Sequence, residues 1–324
     1  MDFNANTVAN NVINNVTKSM WERREVPTSG IGVDISGCSS LEEVLYRTGL
    51  DFKVEAQPVY QRRNGYFEEV PKFRGITRSD TGKVFGYTTS HYHTVQNRDA
   101  FSFVDNLLLE GATFDKAGAM HDGQLCWLQM RAPKMEINGE EFDPYIFLSA
   151  GHDGKIGINW NIGTFRAMCC NQIKLVMRNA KFRGTISHKG NVEWKLAEAK
   201  RVMEGSRNYL EGFKTVCEEL RDKTFEKREI SQMIDILIPQ DKDETDTKKI
   251  ENIQKQREHL AYIYLQAPDL QNENDNGYRF LNAVADYESH ALPQRETRNW
   301  KDNRALRLAT QKTMMDRAVE LMLA

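Results

Sequence analysis

Short runs with apolar residues at every second position dominate the first half of the chain. They cover residues 54–60, 66–76, 84–88, 125–132, 145–150 and 156–162. The segments between them are rich in turn formers, namely Asn64-Gly65, Asp80-Thr81-Gly82, Asp122-Gly123, Asn138-Gly139 and Asp153-Gly154. Because Asn, Asp and Gly tolerate the positive φ angles of hairpin turns, this pattern predicts a curved, mostly antiparallel sheet.

Helical periodicity marks the remaining elements. Ser40 precedes a short predicted helix that Gly49 ends, and Asn97 is the predicted N-cap of a second helix over residues 97–110 that crosses the sheet. Beyond Thr164 the strand pattern fades, and residues 164–177 are predicted to be helical. A further apolar helical face is traced by Tyr209, Phe213, Val216, Cys217 and Leu220.

The predicted fold class is therefore α+β: a central curved, mostly antiparallel sheet with crossing helices, followed by a mainly helical C-terminal region. Residues 240–249 are strongly hydrophilic and typical of a loop or linker. A boundary there gives an α+β core domain with an N-terminal helical arm at residues 1–240 and a helical region at residues 241–324.

Composition narrows the class of protein. Hydrophobic residues make up 40% and charged residues 28% of the chain, which is enough apolar side chain for a packed core. No run of about 18 apolar residues and no secretory leader pattern occurs, so we expect neither membrane insertion nor secretion. The five cysteines show no two-residue spacing, which favours reduced thiols in the cytoplasm of a host cell.

Charge is distributed unevenly, although the net charge is only -2. Residues 160–201 contain nine cationic residues and two glutamates. If residues 164–177 are helical, cations spaced by multiples of four form a stripe that could follow a phosphate backbone. The predicted nucleic-acid contacts are Arg166, Lys174, Arg178, Lys181 and Arg183, with Trp194 for base stacking. The alternative is a solvated charged face without a ligand.

Two His-Asp-Gly segments, at His121 and His152, invite an acid–base or metal interpretation. Each Asp-Gly lies between predicted strands, however, and a hairpin turn explains it more simply. His91 and His93 are placed on one face of a strand, without a third metal ligand at recognisable spacing. An enzyme built on His152, Asp153 and Cys170 is the weakest alternative, and no phosphate-binding glycine loop or other cofactor motif is present. We predict no catalytic residues, no metal and no cofactor.

Some longer segments carry a family resemblance. Gly49-Leu50-Asp51-Phe52 and Arg78-Ser79-Asp80-Thr81-Gly82 come first. Gly151-His152-Asp153-Gly154 then leads into residues 164–171, Thr-Phe-Arg-Ala-Met-Cys-Cys-Asn, and residues 282–290 read Asn-Ala-Val-Ala-Asp-Tyr-Glu-Ser-His. In this order they resemble a phage- and plasmid-associated family catalogued as domain of unknown function 932, although Gln172 stands where that family commonly has Thr. The resemblance implies a phage or plasmid origin and carries over no catalytic residues.

Two functional hypotheses follow. The first is a phage- or plasmid-encoded, nucleic-acid-associated protein that binds or anneals single-stranded DNA in recombination or replication. At the level of architecture alone, the predicted sheet and basic helix are similar to phage single-strand annealing proteins. The second is a non-enzymatic interaction or counter-defence factor whose basic surface meets a host protein. DNA versus RNA preference and homo-oligomerisation stay open.

Overall fold

The structure is a computed structural model that describes residues 31–166, 172–173, 183–185, 192–293, 296–310 and 313–324. Its strands are β1 (Val33–Asp34), β2 (Val54–Arg63), β3 (Tyr66–Arg78), β4 (Val84–Thr89), β5 (Thr113–Met120), β6 (Leu125–Arg131), β7 (Met135–Ile137), β8 (Glu140–Gly151), β9 (Ile158–Arg166), β10 (Gln172–Ile173) and β11 (Arg183–Thr185). Its helices are α1 (Leu41–Thr48), α2 (Asn97–Ala100), α3 (Val104–Leu109), α4 (Val192–Asp222), α5 (Lys227–Leu237), α6 (Thr247–Gln266), α7 (Gly277–His290), α8 (Trp300–Thr310) and α9 (Met314–Met322).

All strand pairs in the described ranges are antiparallel and form two sheets. The larger sheet has the order β1-β5-β6-β8-β9-β10, with β7 also pairing with β8 and β11 with β9. The smaller sheet has the order β2-β3-β4. Helices follow from α4 onward, so the α+β class with a mainly helical C-terminal region is confirmed.

Local sequence signals set several of these elements. The Ser40 side chain accepts a hydrogen bond from the Glu43 amide at the start of α1, and Gly49 ends that helix at φ 66°. Asn64-Gly65 and Asn138-Gly139 adopt the positive φ angles expected of two-residue hairpin turns.

The single helix predicted over residues 97–110 is wrong in detail. Two short helices, α2 and α3, lie there instead, and Gln96 rather than Asn97 is the N-cap residue of α2. Asn97 is buried, and its amide nitrogen donates to the Leu50 carbonyl oxygen at 2.9 Å. Its side chain therefore joins two segments of chain rather than capping a helix.

The helix predicted over residues 164–177 is also wrong. β9 continues to Arg166, and β10 returns beside it with Gln172 opposite Phe165 and Ile173 opposite Thr164. The alternation of Ile158, Trp160, Ile162 and Thr164 on β9 extends the strand, and sheet pairing at its second edge overrides the local helical periodicity.

The core lies on both faces of the larger sheet. One face packs against α4, where Tyr209 and Phe213 are fully buried. The other carries Trp127 and Phe147, stacked with ring centroids 5.6 Å apart, beneath Ala305 of α8. The alternating strand positions Trp127, Tyr145, Phe147 and Trp160 are all buried, whereas the Phe165 side chain lies outside the described residues.

Residues 240–246 form an exposed loop before α6, as the hydrophilic sequence predicts, while residues 247–249 begin that helix. The division into domains at residue 240 stays a prediction. Of the helices that the structure describes, none is long and apolar enough to cross a membrane.

Candidate functional site

The basic segment predicted to contact nucleic acid is only partly described. Lys174, Arg178 and Lys181 lie outside the described residues, as do the side chains of Arg166, Arg183 and Trp194. The backbone places Arg166 at the end of β9 and Arg183 opposite Asn161, five residues earlier on that strand. Because strand residues alternate between faces, these two positions lie on opposite faces of the sheet. The described parts of residues 164–177 are strand rather than helix. The contact set stays a prediction.

The His-Asp-Gly segments are turns, as predicted, although both are longer than two-residue hairpin turns. His121, Asp122 and Gly123 all have positive φ between β5 and β6, and Gly154 has φ 78° between β8 and β9. His91 and His93 lie outside any strand, which corrects the prediction that they share a strand face. No cluster of three or more potential metal ligands occurs among the described side chains.

His152 is part of the core. Its Nε2 lies 2.8 Å from Asn97 Oδ1, and its ring stacks on Phe85 at a centroid distance of 6.0 Å. Burial lowers the pKa of this imidazole to about 4, against a smaller opposing effect of Asp153. Cys126 nearby is a buried thiol whose pKa burial raises to about 12. Neither group is poised for chemistry at neutral pH, and Cys170 lies outside the described residues.

The hairpin of β2 and β3 is highly exposed. Beyond the pairing with β4, these strands continue together to the Asn64-Gly65 turn. None of residues 55–74 is buried, so both faces of this segment, which is two-stranded toward its tip, contact solvent. We call residues 55–74 the projecting hairpin. A two-stranded ribbon with no buried face gains little from hydrophobic burial of its own, so its position depends on its base.

The base of the projecting hairpin is fixed by hydrogen bonds. The Gln96 side chain bonds to both backbone groups of Val54, accepting from its N–H and donating to its carbonyl at 2.9 Å each. Arg78 stacks over the Phe52 ring at 4.0 Å, pairs with Asp80 and donates to the Asp122 carbonyl oxygen at 2.9 Å. The Arg78 bond to Asp122 joins the small sheet to the β5–β6 turn of the large one, and the Gln96 bonds join β2 to the segment before α2.

Several aromatic side chains are exposed on this small sheet. Tyr60, Tyr66, Phe67 and Phe73 of the projecting hairpin are 49–80% exposed, and Tyr87 on β4 is 67% exposed. The register puts Arg62 opposite Phe67 and Arg63 opposite Tyr66. The site therefore interleaves rings with guanidinium groups at the tip of a ribbon.

Carboxylates offset part of its positive charge. Arg63 lies 3.8 Å from Glu68, and Arg74 lies 3.2 Å from Glu69. Both pairs are largely exposed, so each is weak and screened by salt. Arg62 forms no ion pair with a carboxylate of the described chain. Cations at the tip can thus exchange partners with an incoming anion.

Comparison with known families identifies one family to which the chain is similar. The family model described as "Domain of unknown function (DUF932)" matches residues 84–310, which is more than half of the 324 residues. The chain belongs to the DUF932 family. No curated protein and no solved structure matches it significantly.

The DUF932 match begins at β4 and includes the large sheet apart from β1, together with helices α2 to α8. β2 and β3 precede it, so the projecting hairpin lies outside the region that the family model describes. Gln96 and Asp122, which contact the base of the projecting hairpin, lie inside that region.

Sequence reasoning predicted the hairpin but assigned function to the basic segment. The signal for this exposed site is the sequence Tyr-Gln-Arg-Arg-Asn-Gly-Tyr-Phe-Glu-Glu at residues 60–69. Apolar and polar positions alternate poorly in this segment, because aromatic and charged residues occur on both faces of the strands. A strand without one apolar face is not expected to cover a core.

Proposed function

We propose that this protein is a nucleic-acid-associated factor that binds single strands in phage or plasmid recombination or replication, within the host cytoplasm. The observation that carries the proposal is the projecting hairpin, in which exposed rings lie opposite arginines across a ribbon anchored at one end. No catalytic group is needed for such a role.

Stacking is the first part of the argument. Unpaired bases expose flat apolar faces, and aromatic side chains on strands bind them with little sequence preference. All four exposed large apolar side chains within residues 55–74 are aromatic rings. Rings held on a hydrogen-bonded ribbon lose less freedom on binding than rings on a loose loop.

Phosphate contacts are the second part. Arg62 and Arg63 lie directly opposite Phe67 and Tyr66, so a base stacked on either ring brings its phosphate near a guanidinium group. The predicted contacts Arg166, Lys174, Arg178, Lys181, Arg183 and Trp194 would extend this surface along the chain. The net charge of -2 requires such local concentration of cations, because the whole molecule does not attract polyanions.

A protein-interaction or counter-defence role is the second candidate. It is favoured by the outer edge of β2, which pairs with no other strand in the described part of the chain. An open strand edge can accept a strand of a host protein or of another copy, with backbone hydrogen bonds giving affinity. Such binding would be insensitive to nucleic acid.

The test is an anisotropy titration of labelled single-stranded DNA, and of RNA of the same sequence, with wild type and Tyr66→Ala/Phe67→Ala. Loss of stacking should weaken binding by about 1–3 kcal/mol per base that a ring contacts. Tyr46→Ala is the matched control, since Tyr46 is an 82% exposed tyrosine on α1, outside the projecting hairpin.

Equal affinities of the double variant and wild type would remove the hairpin from the nucleic-acid surface. Capture of one host protein by wild type, lost in the double variant and unaffected by nuclease, would favour the second candidate.

A further inference from the structure

A cavity of about 640 Å³ opens in the helical C-terminal region, away from the features discussed above. α6 contributes Gln256, the end of α7 contributes Tyr287, and α8 contributes Trp300, Asn303, Arg304 and Arg307. Its volume lies in the range of small-molecule sites. Two cations, an indole and four uncharged polar side chains, Thr297 included, line one concave surface, which indicates recognition of a ligand rather than packing alone.

Arg304 is the least satisfied of these groups. Its guanidinium stacks over the Trp300 ring at 4.7 Å and donates to the Ala291 carbonyl oxygen at 3.3 Å. Its Nε is buried and has no hydrogen-bond partner, and no carboxylate of the described chain pairs with it. Burial lowers the pKa of Arg304, and the charge of Arg307 acts in the same direction. A cation held this way lacks the counter-charge that buried arginines normally have.

Arg307 supplies the second cation, 3.5 Å from Glu288. Glu288 is the one acidic side chain lining the cavity, and its other oxygen accepts from the Met315 amide at 3.0 Å. Burial raises the pKa of Glu288, against opposing effects that include the Met314 and Met315 amides and Arg307. One carboxyl group only partly offsets the charge of two guanidinium groups.

We propose that this cavity binds a small organic phosphate of about nucleotide size. Two guanidinium groups match the geometry and charge of a phosphate dianion. The cavity is too large for a free phosphate ion to fill, and Gln256, Tyr287 and Asn303 offer hydrogen bonds to the remainder of the ligand. The inference does not depend on the projecting hairpin or on binding of a polynucleotide.

Calorimetric titration tests it with three probes: adenosine monophosphate, inorganic phosphate and adenosine. Adenosine monophosphate should bind, phosphate should compete with it, and adenosine should bind at least tenfold more weakly. Arg307→Gln should reduce affinity for adenosine monophosphate about tenfold or more, the usual effect of losing a charge-assisted hydrogen bond. Arg307 is half exposed, so this variant should fold, and circular dichroism checks that it does.

Arg298→Gln is the matched control, because Arg298 is exposed, close in sequence and does not line the cavity. It should bind like wild type, and so should Phe67→Ala on the projecting hairpin. The proposal is overturned if adenosine monophosphate and phosphate both fail to bind, if adenosine binds equally well, or if folded Arg307→Gln keeps full affinity. Loss of binding in Phe67→Ala would place the probe on the hairpin and would also overturn it.

Discussion

At the scale of single residues, the buried polar groups around His152 tie the two sheets together. The imidazole packs edge-on against Phe52 and stacks on Phe85, its Nε2 contacts Asn97, and its backbone N–H donates to the Gln124 carbonyl oxygen at 2.8 Å. The Gln124 side chain in turn donates to the Phe85 carbonyl oxygen at 2.7 Å. The histidine is thus a packing residue that is neutral in the folded protein.

This neutrality predicts a pH dependence of stability. The pKa of His152 is about 4 in the folded state, below its ordinary value of 6.5, so the unfolded chain binds the proton first as pH falls. The stability that neutral His152 contributes is fully present above pH 6.5 and is lost as pH falls toward 4. Denaturant unfolding should show that wild type loses about 2 kcal/mol more stability between pH 7 and pH 5 than His152→Gln does. Equal losses would show that His152 is not held neutral.

Gly154 combines two constraints. Its φ is 78°, and a Cβ at this position would overlap Thr88 Cγ2 on β4. Gly82 has φ 68° with nothing within 4 Å of the same added atom. Thermal unfolding should show that Gly82→Ala costs about 1–2 kcal/mol from backbone strain alone and that Gly154→Ala costs clearly more. Similar costs would mean that β4 does not pack closely on the β8–β9 turn.

At the scale of elements, the sequence is informative where one local signal decides the outcome. Ser40 and Gly49 bound α1, and Asn-Gly pairs mark the β2–β3 and β7–β8 turns, so these elements are predictable. The segment after Thr164 is not, because β9 offers a second edge for pairing that no local pattern reveals. The structural role of Gln96 is also not predictable from the local sequence, because its side chain bonds to Val54, 42 residues earlier in the chain.

The Gln96 side chain is expected to anchor the base of the projecting hairpin. Gln96→Ala removes both side-chain bonds to Val54 and should cost about 1–3 kcal/mol, because the strand N–H and C=O are left without these partners. Hydrogen exchange at Val54 should accelerate accordingly. Gln57→Ala is the control, since Gln57 bonds only to the exposed Glu55. Unchanged exchange in Gln96→Ala would mean that other contacts anchor the hairpin.

At the scale of the whole molecule, the chain presents two regions of opposite character. The DUF932 region packs a sheet between helices around a buried core, whereas the projecting hairpin exposes rings and arginines beyond it. The fold class follows from sequence periodicity. The candidate site does not, because exposure of the β2–β3 ribbon depends on how far β4 extends along it.

The most direct test of nucleic-acid binding is the affinity of purified wild type for single-stranded DNA at two salt concentrations. Binding should weaken as salt rises, with a slope of log affinity against log salt of about -0.7 per phosphate contact. Tyr66→Ala/Phe67→Ala should lower affinity with the slope nearly unchanged, whereas Lys174→Ala/Arg178→Ala should reduce the slope. Absence of binding by folded wild type even at low salt would contradict the account.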